Sequence, residues 1–148
     1  MPMRLKIAGA IALAGLLVAT AAASMGHGSR VDKMKEIGKN LGAIGKVAKG
    51  EMAYSPAIIA NAEALVHLSK DVEKLFPEGS GGPDTRAKPE IWQKWSEFVA
   101  ASQDFEDATP GLVTATKSGD VGQIKAAVGA VGKTCGGCHK PFRAPEKK

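Results

Sequence analysis

Two cysteines and a histidine stand close together near the end of this 148-residue chain, in the pattern Cys135-Gly136-Gly137-Cys138-His139. In an exported protein, the spacing Cys-x-x-Cys-His is typical of c-type haem attachment. Each thiol adds across a haem vinyl group to form a thioether, and the adjacent imidazole binds the iron. We therefore predict one haem c, attached through Cys135 and Cys138, with His139 as the proximal iron ligand.

Two other chemistries use a similar spacing of cysteines. A structural zinc site needs four protein ligands, whereas this cluster offers two cysteines and one histidine. A thioredoxin-like dithiol belongs to a chain in which strands and helices alternate, and no strand-like alternation of apolar residues occurs here. Haem attachment is favoured over both. A haem-free bundle with a Cys135–Cys138 dithiol is kept as the competing class, and an absence of covalent haem after acid-acetone treatment would reveal it.

The first 23 residues have the composition of a secretory signal. Arg4 and Lys6 form a basic start, an apolar stretch rich in Ala and Leu follows, and three alanines at 21–23 provide a small-residue cleavage site. The alternative is an uncleaved membrane anchor, although the apolar stretch is short for a membrane span. We predict a signal at 1–23, one mature domain at 24–148 without a membrane span, and a periplasmic location.

The charge of the chain is mildly basic. The formal net charge is +5, which falls to +3 when the two cations of the leader are removed. Lysines are interleaved with acids along the chain, as on solvated helix faces, so we expect no nucleic-acid partner. A weakly basic surface would favour redox partner proteins with acidic docking surfaces. No general-base dyad, nucleophile elbow or phosphate loop is present, and we expect no enzymatic activity.

Four amphipathic helical patterns must position the motif. The first runs from about Ser29 to Lys49, the second from Ser55-Pro56 to Phe76-Pro77, the third from Pro89 with a kink or an early end at Pro110, and the last from the cap Asp120 through the motif. A long glycine-rich loop joins the second and third helices. These patterns predict an all-α chain, folded as an antiparallel four-helix bundle with covalently attached haem c.

A row of glycines lies on the first helix, on the face that continues from Met34. Gly38, Gly42 and Gly45 are spaced to line up, and each costs about 1 kcal/mol relative to alanine within a helix. Three of them on one face indicate that something large approaches the backbone. A haem plane and tight helix–helix packing explain the row equally well.

The second axial ligand is expected upstream of the motif, because the nine residues after His139 contain neither Met nor His. Met34 is a candidate, and its alternative role is to fill the apolar stripe of the first helix. His67 is its strongest competitor, because two imidazoles can also ligate haem iron. His67 lies beside the buried stripe of the second helix, where a surface histidine is the alternative.

The motifs taken together resemble the class II cytochromes c, the cytochrome c′ family. The resemblance rests on four helices with the motif in the last, on Gly81-Gly82 followed by Pro89-Glu90-Ile91-Trp92, and on Arg143 four residues after His139. In that family, an arginine of the first helix is followed four residues later by the distal residue, which implies Arg30 and Met34 here. A methionine implies the six-coordinate, low-spin cytochrome c-556 type, an electron carrier. The alternative is a five-coordinate, high-spin cytochrome c′ that binds nitric oxide or carbon monoxide.

The resemblance also implies roles for two arginines. Arg30 would pair with a haem propionate, since a guanidinium matches a carboxylate; its alternative is a solvated residue. Arg143 would be a basic residue near the haem edge; its alternative is a cation that stabilises a helix C-terminus. Pro141 removes one helical hydrogen bond just before Arg143 and is expected to distort that turn. Members of the family often form homodimers through their first two helices, so the resemblance implies that this chain can form one.

Overall fold

The hydrophobic periodicity of the sequence is realised as five α-helices in a computed structural model, which describes residues 16–146. The helices are α1 (Leu16–Ala48), α2 (Ile58–Ser69), α3 (Glu90–Gln93), α4 (Trp95–Ser118) and α5 (Val121–Phe142), with a 3-10 turn at Val72–Leu75. Within residues 16–146, extended pairing is limited to one isolated bridge between Ala87 and Arg143. The prediction of an all-α chain is confirmed.

The four long helices pack in a closed ring. Helix α1 packs against α2 and α5, and α4 packs against the same two neighbours. Only Gly119 and Asp120 separate α4 from α5, so the chain must turn straight back and the two helices run antiparallel. The predicted antiparallel four-helix bundle is confirmed.

The first helix begins earlier than the sequence pattern indicates. Residues 1–15 of the predicted signal lie outside the described part of the chain, while residues 16–23 form the start of α1. The expected start near Ser29 is therefore wrong, because the alanine-rich residues before Ser29 have a high helix propensity and form one continuous helix with those that follow. Among the described helices, none has both the length and the apolar character needed to cross a membrane.

The ends of α4 and α5 follow the sequence signals. Gly119 adopts a left-handed conformation with φ of 72° and ends α4, as glycine does with no Cβ to clash. Asp120 caps α5, where its Oδ1 accepts a hydrogen bond of 2.9 Å from the N–H of Gln123. This bond satisfies one of the free amides at the helix start.

The second helix is shorter than predicted. Helix α2 ends at Ser69, Lys70 is extended, and Asp71 has a left-handed φ of 56° before the 3-10 turn begins. Aspartate tolerates this conformation better than most residues. Lys33 on α1 donates a 2.7 Å hydrogen bond to the carbonyl of Lys70, which satisfies a group that the broken helix leaves free.

Pro110 neither ends the third predicted helix nor limits its length. Helix α4 continues past it to Ser118, and the interruption lies instead at Lys94, between α3 and α4. Proline cannot donate to the carbonyl of Glu106, but the hydroxyl of Thr109 donates to that oxygen at 2.9 Å. The expectation of an early end at Pro110 is therefore wrong, because a neighbouring side chain replaces the lost bond.

The variant Thr109→Val is expected to destabilise the fold by about 1–3 kcal/mol, because it leaves buried polar groups without partners. Thr109 is fully buried, and its hydroxyl also lies 3.1 Å from Ser69 Oγ on α2. The free energy of unfolding in urea measures the loss. Thr114→Val is the matched control on the same helix, because Thr114 is exposed. An equal loss in both variants would contradict the role assigned to Thr109.

Two hydrophobic clusters fill the bundle. The main core combines residues of α1, α2, α4 and α5 with Val72, and its buried members are Ile37, Ile44, Val47, Ile58, Ala62, Leu65, Val72, Phe105, Leu112, Ala115, Ile124 and Val131. The second core is smaller and consists of Ile91, Phe98 and Phe142. Trp95, the first residue of α4 after the break at Lys94, is 41% exposed.

Candidate haem site

Helix α5 carries the Cys-x-x-Cys-His motif to the junction of the two cores. Cys135 and Cys138 are half-buried free thiols. Cys135 packs against the main core, whereas Cys138 packs against the second core. One helical turn therefore presents both sulfurs toward the apolar interior, where a large apolar group would be sheltered from water.

The two thiols lie in a partly desolvated environment. Burial raises the pKa of the Cys135 thiol. Burial, together with the neighbouring Cys135, raises the pKa of Cys138 to about 11. Both cysteines therefore lie at the edge of an apolar interior, which suits an apolar group such as a porphyrin.

His139 is half-buried and follows directly after Cys138. Burial lowers the pKa of its imidazole, and the positive charges of Arg143 and Arg86 lower the pKa further. The neutral form is the one that binds a metal ion. The surroundings of His139 therefore favour the protonation state that an axial ligand needs.

Arg143 lies beside His139, and Pro141 does not disturb the turn between them. The N–H of Arg143 donates to the carbonyl of His139 at 3.0 Å. On the side chains, Nη1 of Arg143 lies 3.4 Å from Nδ1 of His139. The expectation that Pro141 distorts this turn is wrong, since proline costs only the single bond to Gly137 and the helix continues to Phe142.

Met34 and Cys135 lie against the same cluster of side chains. Met34 on α1 and Cys135 on α5 are both half-buried and both pack against the main core, and the two helices are direct neighbours. His67 lies elsewhere: its side chain is exposed and lines a groove of about 490 Å³ whose other walls come from α2 and α4. Met34 thus lies on a helix that directly neighbours the helix of the motif, whereas His67 lies in a groove between α2 and α4.

Arg30 is buried, with 4% of its surface exposed, so the alternative of a solvated residue is wrong. Its guanidinium donates to Ser80 Oγ at 2.8 Å, to the Ser80 carbonyl at 2.9 Å and to Thr85 Oγ1 at 3.2 Å. None of the ion pairs found within residues 16–146 involves Arg30. Burial lowers its pKa, as expected for a cation that faces neutral acceptors. An anionic group such as a propionate would fit this charge.

Within residues 16–146, no neighbouring helix covers the glycine row of α1. A Cβ built on Gly38, Gly42 or Gly45 would meet no atom of this described part within 4 Å. Tight packing between the described helices, one of the two explanations offered by the sequence, is therefore wrong. Space for a flat group, or for another chain, is left along this face.

The sequence analysis did not identify Ser80 and Thr85, the two residues that hold Arg30 by hydrogen bonds. Both belong to the long loop after α2, and Ser80 is only 3% exposed. Hydroxyl residues are common in loops of this composition, so nothing in their spacing distinguishes them. Their role depends on Arg30, which lies 50 residues earlier in the chain than Ser80.

A protein-family model described as Cytochrome C' matches residues 27–143. A cytochrome c-556 from Rhodopseudomonas palustris is 37% identical over 146 residues, which cover 92% of this chain and 97% of the relative. A cytochrome c' from Rhodospirillum rubrum is 33% identical over 138 residues, with 90% and 94% covered. Both names therefore occur among similar proteins.

Solved structures show the same architecture. The nitric oxide complex of a variant of cytochrome c prime from Alcaligenes xylosoxidans superposes with a TM-score of 0.77 at 31% identity. The match covers 84% of this chain and 97% of that one. The similarity thus extends over the whole bundle, including the helix of the motif.

Proposed function

Because this chain belongs to the cytochrome c′ family of class II cytochromes c, we propose that it is a periplasmic electron carrier with one haem c, ligated by His139 and Met34. The family binds one covalent haem c and comprises electron carriers and gas-binding haem proteins. Bound haem supplies an iron that alternates between the ferric and ferrous states. The finer assignment, low-spin electron transfer through a His/Met pair, is the part we propose.

Each of these residues would have a distinct role toward the haem. Cys135 and Cys138 would hold the porphyrin through thioethers, and His139 would offer a neutral imidazole. Met34 offers a thioether sulfur, which favours the ferrous state and raises the potential relative to a second imidazole. Arg30 would balance a propionate charge. With both axial positions filled by side chains, little rearrangement accompanies electron transfer.

One observation carries the proposal, namely that Met34 and Cys135 pack against the same core from two adjacent helices. A thioether already held near the attachment helix loses little entropy when it becomes a ligand. The competitor His67 would have to leave an exposed groove and reach past the main core. Met34 is therefore the better supported distal ligand.

A gas-binding cytochrome c′ is the second candidate function. The observation that favours it is the solved nitric oxide complex, which belongs to a relative 31% identical to this chain. In that alternative Met34 would pack beside the iron without binding it, and nitric oxide or carbon monoxide would occupy the distal side. The coordination state of the iron separates the two functions.

Partner proteins belong to the same proposal. Exposed cations lie near the motif, namely Lys133 and Lys140 on α5 and Arg143 directly after its end. Such charges would guide an acidic redox partner toward this helix. A homodimer is also part of the proposal, for which the open glycine face of α1 offers space. Docking should weaken as salt is added, because exposed charges are screened beyond about 10 Å at 0.1 M ionic strength.

The variant Met34→Ala tests the distal ligand in purified holoprotein. The native ferric spectrum is expected to be low-spin with a methionine–iron charge-transfer band, and the variant is expected to lose that band and become high-spin. Met52→Ala is the matched control, because Met52 is 47% exposed and lies outside the bundle core; it should leave the spectrum unchanged.

The result that contradicts the proposal is also spectroscopic. A low-spin spectrum that survives in Met34→Ala would show that another residue binds the iron, and the same measurement on His67→Ala would follow. A native protein that is high-spin and lacks the charge-transfer band would support the gas-binding alternative instead.

A further inference from the structure

A single loop contacts both helices that carry the proposed axial ligands. We call residues 75–88 the strap. At its beginning, Arg30 of α1 donates hydrogen bonds to the Leu75 carbonyl at 3.4 Å, to both oxygens of Ser80 and to Thr85 Oγ1. The guanidinium also lies 4.8 Å from the centre of the Phe76 ring. The first part of the strap is thus fastened to α1, one helical turn before Met34.

The end of the strap is fastened to α5 and the residues after it. The N–H of Lys88 donates to the Phe142 carbonyl at 3.0 Å, and the N–H of Ala144 donates to the Arg86 carbonyl at 2.7 Å. Nε of Arg86 returns a bond of 2.8 Å to the Ala144 carbonyl. The two backbone bonds form the antiparallel pairing at Ala87 and Arg143, one turn beyond His139.

We propose that the strap sets the spacing between the turn of α1 that carries Met34 and the end of α5 that carries His139. Ser80 and Thr85 are then positioning residues for the methionine–iron bond, acting through Arg30. This inference rests on the proposed function, because it assigns a task to residues around a His/Met-ligated haem. It adds a means by which the chain keeps Met34 bound.

The burial of Arg30 gives the connection its stiffness. A buried cation must keep its hydrogen-bond acceptors, since leaving them unpaired costs far more than at the surface. Only 4% of the Arg30 surface is exposed, so the side chain cannot turn toward water without leaving its buried position and its hydrogen-bond partners. The turn of α1 that carries Arg30 therefore follows the position of Ser80 and Thr85.

The test is imidazole binding to the ferric holoprotein, because imidazole competes with Met34 for the distal position. In Ser80→Ala/Thr85→Ala, the apparent affinity for imidazole is expected to rise about tenfold. Loss of the hydrogen bonds to the buried Arg30 should weaken the methionine–iron bond, so that a larger fraction of the protein has a distal position open to imidazole. The charge-transfer band should weaken in parallel. Thr85→Ser restores a hydroxyl and should behave like the native protein.

Two controls separate positioning from general loosening. Asp84→Ala alters an exposed residue of the same loop and should leave the affinity unchanged. In a Met34→Ala background the strap substitutions should have no further effect, because the bond that they support is already gone. An increase that persists in that background would overturn the proposal, and so would an unchanged affinity in Ser80→Ala/Thr85→Ala.

The failure of this inference can be told apart from the failure of the proposed function. If Met34→Ala alone leaves imidazole affinity and spectrum unchanged, then Met34 is not the ligand and both proposals fall. If Met34→Ala acts as expected while the strap variants do not, only the strap proposal falls. Should the double variant not fold, Thr85→Ala alone carries the same comparison, because Thr85 is only partly buried.

Discussion

The variant Cys135→Ser/Cys138→Ser is expected to lose all covalently bound haem. A serine hydroxyl does not add to a vinyl group under the conditions in which a thiol does, so neither link to the porphyrin can form. The two sulfurs are the attachment atoms of the motif on α5, and no other cysteine exists in the chain. Haem that enters the bundle would be held by axial ligands and apolar contacts alone.

Acid-acetone extraction followed by mass spectrometry measures this loss. The native chain should retain the mass of one haem after denaturation, and the double variant should show the mass of the polypeptide alone. Thr134→Ser is the control, since it changes a half-buried neighbour on the same helix and leaves both thiols. Haem that stays attached in the double variant would contradict the assignment of the two cysteines.

Single variants distinguish the two cysteines by their surroundings. Cys135→Ser and Cys138→Ser each retain one thioether, so both should keep haem through denaturation. Cys135 lies against the main core and Cys138 against the second core. Each serine places a hydroxyl in a different apolar environment. Each substitution is expected to lower the free energy of unfolding by about 1–3 kcal/mol unless the hydroxyl finds a hydrogen-bond partner.

Local signals were sufficient to predict the all-α class and the order of the four long helices, although not all of their ends. The Cys-x-x-Cys-His spacing and the cap at Asp120 each depend on residues within one or two turns of one another. Such short-range chemistry can be recognised without knowing the fold. The helix order and the all-α class followed from periodicity, which also reflects local spacing.

Predictions failed where a distant residue decides the outcome. At the end of α2, the Lys70 carbonyl accepts a hydrogen bond from Lys33, which lies 37 residues earlier on α1. The burial of Arg30 depends on Ser80 and Thr85, which a sequence pattern does not connect to it. These contacts exist only after the bundle has formed, so propensity could not have indicated them.

The second core links these distant parts of the site. Phe98 of α4 is 1% exposed, and its ring centre lies 4.7 Å from that of Phe76 and 5.3 Å from that of Phe142. Phe76 packs beneath the guanidinium of Arg30. Phe142 follows His139 by three residues, and Cys138 packs on the same cluster. Phe98 therefore supports the strap and the end of α5 together.

The variant Phe98→Ala is expected to destabilise the protein by about 3–5 kcal/mol, the usual cost of removing a fully buried phenylalanine. Because the ring supports Phe76 and Phe142, the same variant is expected to weaken the methionine–iron charge-transfer band. Urea unfolding followed by circular dichroism measures the first effect, and the ferric spectrum in the absence of urea measures the second.

Leu112→Ala is the matched comparison for Phe98→Ala, because Leu112 lies on the same helix and is completely buried, but belongs to the main core. It should cost about 2–5 kcal/mol and change the spectrum less than Phe98→Ala does, since Leu112 is not part of the second core, which contacts both Phe76 and Cys138. A similar spectral change in both variants would mean that any loss of packing disturbs the iron site. A change confined to Phe98→Ala would identify the second core as the support that holds the motif, the strap and Arg30 in register.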